Sequence, residues 1–79
     1  MPKVFIKNGI NFFFYSNEGN EPIHIHFRKG DAHGKYWLEP NCEEAEVYGF
    51  NTSEINFIET EIINNIELIK QKWHEHFNQ

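Results

Sequence analysis

The sequence predicts an α+β domain in ββββα order: a four-stranded, mostly antiparallel sheet with one long C-terminal helix packed on one face. Three observations carry this. Apolar residues alternate with a period of two in the first half. Asn8-Gly9 separates two β-rich runs. Residues 51–79 then switch to spacings of three and four, with no Gly or Pro.

Residues 4–7 form the first strand and residues 10–15 the second. Asn and Gly both tolerate positive φ, so the pair between them suits a two-residue type I′ turn. That turn pairs Lys7 with Ile10, Phe5 with Phe12 and Val4 with Phe13. Both faces of the hairpin are then apolar, so it is expected either to be buried on both sides or to meet another molecule with one of them. A polar loop, residues 16–21, ends at Pro22. Residues 23–28 alternate most cleanly: Ile23, Ile25 and Phe27 on one side, His24, His26 and Arg28 on the other. Residues 29–34 read as a loop and residues 35–39 as the fourth strand, closed by Pro40. Residues 43–48 read at most as a weak acidic edge strand.

Asn51 with Glu54 three residues on is a capping-box signature for the helix. Its stripe is Ile55, Ile58, Ile62, Ile66, Ile69 and Trp73. About 26 residues at 1.5 Å each span roughly 39 Å, twice the length of a five- or six-residue strand. The end bearing Trp73 and Phe77 is therefore expected to overhang. One helix covers one sheet face and leaves the other open.

The 79 residues form one domain, residues 1–79, divided into the sheet (1–50) and the helix (51–79). One Cys excludes a disulfide framework and a multi-Cys zinc site, which fits a cytoplasmic protein. No apolar run approaches the length of a membrane span. The net charge of −5 is unevenly spread. Residues 1–38 carry +2 and residues 39–79 carry −7, so acidity belongs to the second half. A net acidic chain is a poor candidate for unaided duplex DNA binding, but the first half can still present a small basic face.

On the open face, His24, His26 and Arg28 meet the fourth strand. If Arg28 pairs with Lys35, His26 faces Trp37 and His24 faces Glu39. Four readings fit this surface. It can be an ordinary solvated face. It can bind phosphate or RNA, with Arg28 and Lys35 on phosphate and Trp37 or Tyr15 as a stacking platform. It can cleave RNA, with two histidines near neutral pKa exchanging protons and Arg28 stabilising charge. It can hold a metal through His24, His26 and Glu39. His74 and His76 diverge by about 200° on a helix and suit its negative end instead. His33 lies in a glycine-flanked loop within swing of the open face. Cys42 has no neighbouring base or cation in sequence and reads as structural or incidental. No phosphate-cradling loop or serine-nucleophile motif is present.

Several segments resemble a known family: Pro2-Lys3-Val4-Phe5, Asn8-Gly9, Phe12-Phe13-Phe14-Tyr15-Ser16-Asn17-Glu18, Glu21-Pro22-Ile23-His24-Ile25-His26, Arg28-Lys29-Gly30-Asp31, Lys35-Tyr36-Trp37-Leu38-Glu39-Pro40 and Tyr48-Gly49-Phe50. Together they are similar to the small bacterial proteins called domain of unknown function 4160. Ile23 departs from the family's more usual second Pro, and Ala32-His33-Gly34 also varies. The resemblance implies genes often found in toxin–antitoxin-like pairs. It also implies that His24, His26, Arg28, Lys35, Trp37 and Glu39 form the working surface.

The leading expectation is thus a toxin–antitoxin-like component that binds RNA and cleaves it without a metal or other cofactor. His24, His26 and Arg28 are its catalytic residues; Arg28, Lys29, Lys35, Trp37 and Tyr15 bind the RNA. The alternative is a protein-interaction module, docking a cognate partner encoded nearby or a second copy through Phe12, Phe14, Trp73 and Phe77. A metal-binding protein is the third reading.

Overall fold

A computed structural model describes residues 3–77. The elements are β1 (Lys3–Lys7), β2 (Ile10–Phe13), β3 (His24–Lys29), β4 (Ala32–Trp37), β5 (Glu43–Tyr48), α1 (Thr52–Asn64) and α2 (Ile66–Phe77). Pro2 and residues 78–79, over which the sequence signals extend, lie outside the described residues. The strands form one antiparallel meander in the order β1-β2-β3-β4-β5. The fold is α+β as expected, but the described residues form five strands and two helices in place of four and one.

The first hairpin turns at Asn8-Gly9, with φ of 50° and 77°, as a type I′ turn requires. Lys7 pairs with Ile10 and Phe5 with Phe12, but Lys3 pairs with Phe13. Val4 is the extra residue of a bulge, which corrects the expected Val4–Phe13 pair. The β3–β4 connection is shorter than the sequence suggested. Lys29 pairs with Ala32, so Gly30-Asp31 is a two-residue turn, and Gly30 has φ of 61°. The tight turn moves the register by two residues. His24 therefore faces Trp37, His26 faces Lys35 and Arg28 faces His33. The acidic run 43–48 is a full six-residue edge strand. Val47 packs against the core, while its glutamates remain in water.

The expected single helix breaks at Asn65. Its side-chain Nδ2 donates to the Glu61 carbonyl at 2.8 Å, which also keeps its backbone bond from Asn65 N at 3.1 Å, while Asn65 N is shared with the Ile62 carbonyl at 3.3 Å. The break redirects α2 back over the sheet. Ile58, Ile62, Ile69 and Trp73 are all buried with Phe12, Phe14, Ile25 and Phe27. Instead of overhanging, Trp73 lies edge-on to Phe14 at 5.2 Å and to His24 at 5.0 Å. This corrects the expected interface: Phe12, Phe14 and Trp73 are 0–1% exposed, filling the chain's own core. Phe77 is half-buried against Phe14 and Trp73. Among the described residues no helix is long and apolar enough to cross a membrane.

Tyr36 donates its hydroxyl to Glu59 Oε2 at 3.1 Å, tying β4 to α1. Burial, reinforced by the nearby Glu59 carboxylate, pushes the phenol up to about 12. The neutral form is favoured by folding, so this contribution is intact below the unfolded tyrosine's pKa near 10. It is lost as pH rises from there through about 12. Between about pH 10 and 12 the wild type should lose more urea stability than Tyr36→Phe. Parallel pH curves would contradict this account.

Candidate metal centre

The site is built where β3 begins. Strand alternation places His24 and His26 on the side away from the core residues Ile25 and Phe27. The loop from Phe14 to Ile23 folds back over this end of the sheet. It brings Glu18 onto both histidines and Glu21 onto Lys35. Glu18 Oε1 lies 2.8 Å from His24 Nε2 and 2.9 Å from His26 Nε2. Glu18 Oε2 lies 3.2 Å from His26 Nε2. One ligand atom from each residue falls within 4.8 Å of the other two.

The loop is held from behind. Gly19 follows Glu18, and a Cβ there would come within 2.5 Å of Phe77 Cδ1. The absence of a side chain lets Phe77 press on the loop backbone, so α2 helps to place the Glu18 carboxylate.

His24 is 0% exposed. Its ring packs edge-on against Trp37 at 5.3 Å and Trp73 at 5.0 Å. Its Nδ1 lies 2.8 Å from the Pro22 carbonyl. A carbonyl only accepts, so Nδ1 carries the proton and Nε2 is the atom turned to Glu18. His26 is stacked on Phe13 at 5.6 Å and meets the edge of Tyr15 at 4.6 Å. Its side chain is 14% exposed and that of Glu18 is 15%, so the cluster opens to water on this side.

Burial alone would raise the Glu18 carboxyl, but the hydrogen bonds to His24 and His26 outweigh it and hold the group below its ordinary value. For His26 burial is the larger influence. It lowers the imidazole's pKa, and the Glu18 carboxylate only partly offsets this.

The sequence signal located two of the three residues. It named Glu39 as the third, and the structure places Glu39 elsewhere, with Oε2 3.5 Å from Lys70 Nζ. Glu18 was hidden because it lies in a loop six residues before His24, where no periodicity assigns a direction. The expected surface position of His24 is corrected to a buried one, because α2 and Trp73 close over it. Arg28 and Lys29 are exposed at the far end of β3. Lys35 donates to Glu21 Oε1 at 3.0 Å and sits 4.2 Å above the centre of the Trp37 ring. Tyr15 is 39% exposed at the rim. His33, expected in a loop, belongs to β4 and tilts against Tyr48. Cys42 is exposed and has no disulfide.

The family model described as "Domain of unknown function (DUF4160)" matches residues 9–74, a span that contains the whole cluster. No curated protein and no solved structure matches the chain.

Proposed function

The chain belongs to the DUF4160 family, and on that footing we propose that it is a metal-binding protein, holding one divalent transition-metal ion between Glu18, His24 and His26. The observation that carries this is the convergence of one ligand atom each from Glu18, His24 and His26 within 4.8 Å of one another, with His24 Nδ1 committed to the Pro22 carbonyl. A neutral imidazole with its proton on Nδ1 has a lone pair at Nε2. At 2.8 Å from Glu18 Oε1 that nitrogen shares a proton with the carboxylate as an ion pair, and a metal ion binding there takes the proton's place. A metal ion satisfies His24, His26 and Glu18 together.

The surroundings match such a ligand set. A ligating histidine characteristically donates its other ring nitrogen to a backbone carbonyl, as His24 does to Pro22. Two histidines and one carboxylate suit Zn²⁺ or Fe²⁺ and leave coordination positions open.

Metal-free RNA cleavage by His24 and His26 draws less support. Both ring nitrogens of His24 face protein groups, and the residue is closed to substrate. RNA binding by the bare face is opposed by charge. Glu18 and Glu21 fold onto it, and cross-strand pairing adds Glu43 beside Trp37 and Glu46 beside Lys35. Arg28 and Lys35 oppose these four carboxylates. The toxin–antitoxin setting implied by the resemblance, with a cognate partner, leaves the metal chemistry unchanged.

Calorimetric titration of metal-free protein with Zn²⁺ should show one tight equivalent. His26→Ala, which removes the more exposed ligand, should weaken it at least tenfold. No saturable binding, or equal affinity in the variant, would sink the proposal.

A further inference from the structure

The centre has one open side, and Lys35 stands at it. His24 is sealed by Trp37 and Trp73, so coordination positions left by the protein can be reached only past His26 and Glu18. Lys35 is the direct cross-strand partner of His26. Its ammonium lies over the Trp37 ring at 4.2 Å, and its side chain is 20% exposed. It already carries an oxyanion: the Glu21 carboxylate, 3.0 Å away on a residue that is 39% exposed. That carboxylate lies on the loop and can swing into water.

Metal loading changes the charge of this corner. Without the metal, Glu18 and Glu21 outweigh Lys35. A divalent ion more than neutralises Glu18 and leaves a net positive centre beside the Lys35 ammonium, on a face whose edge strand also carries Glu43 and Glu46.

We infer that the open side takes a phosphate group, bound between the metal and Lys35 in place of the Glu21 carboxylate. The inference rests on the metal-centre reading. Phosphate is favoured over a carboxylate because its additional oxygens and charge allow one group to reach the metal and the ammonium together. Lysine serves phosphate as a point charge, which needs no planar fork geometry.

The test uses the full chain loaded with Co²⁺ and inorganic phosphate as the probe. Paramagnetic broadening of the ³¹P signal reports phosphate near the metal. Wild type should broaden it saturably. Lys35→Met should weaken phosphate binding at least tenfold while still taking up one metal ion. Glu21→Gln should tighten phosphate binding, because the competing charge is gone. Equal phosphate affinity in wild type and Lys35→Met would overturn the inference with the metal centre left standing. So would acetate displacing phosphate at equal concentration. Absence of stoichiometric Co²⁺ in the wild type would instead overturn the metal centre, and the phosphate site with it.

Discussion

Trp73→Ala should cost about 3–5 kcal/mol, the range for removing a large buried aromatic side chain. A chain of this length has a total stability on the order of 4–12 kcal/mol. The variant should therefore be marginal or unfolded at 37 °C. The indole is 0% exposed and contacts Phe14, Phe77 and His24. Its loss opens a cavity at the point where α2, the sheet and the loop bearing Glu18 meet. Urea denaturation monitored by far-ultraviolet circular dichroism measures the cost. Trp73→Phe retains much of the volume and should recover a large part of it. A loss below about 1 kcal/mol for the alanine variant would mean that α2 does not hold this end of the fold.

The second large effect is thermal. A metal that binds the folded state alone stabilises it by about 2.7 kcal/mol at a hundredfold excess over its dissociation constant. In a domain this small, each kcal/mol shifts the midpoint by roughly 4–8 °C. Saturating Zn²⁺ should thus raise the melting temperature by roughly 10–20 °C. Glu18→Gln keeps the size of the side chain but loses its charge, and should remove most of that rise. His74→Ala/His76→Ala should keep it, since those residues lie near the end of α2, outside the cluster. A rise that survives Glu18→Gln and disappears in the α2 variant would move the metal to the helix.

Much of the fold was legible in the sequence because its signals are local. Asn8-Gly9 fixed the first turn, the alternation of residues 23–28 gave β3 its two faces, and Asn51 with Glu54 marked the start of α1. The capping box is present, with bonds of 2.8 and 2.9 Å. What escaped depends on competition or on distance. Asn65 has no steric defect like Gly or Pro; it ends α1 as a C-cap residue with φ of −113°, its side chain bonded to the Glu61 carbonyl. The β3–β4 register turned on whether Gly30-Asp31 alone could make the turn. A two-residue error there exchanged Lys35 for Trp37 opposite His26. β5 was undervalued because its glutamates mask a strand that needs pairing on one edge only. At the site, His24 and His26 were visible as a strand pair. Glu18 came from a loop whose position is set by Phe77 packing over Gly19, some 58 residues away in the chain. The burial of His24 depends on α2 turning back so that Trp73 closes over it, which a single straight helix does not do.

X-ray absorption at the zinc edge of the one-equivalent complex tests the central claim most directly. The expected spectrum shows a shell of nitrogen and oxygen at about 2.0–2.2 Å, with the outer-shell scattering of two imidazoles. A shell without imidazole scattering, or one unchanged by replacing both His24 and His26, would contradict a metal held by Glu18, His24 and His26.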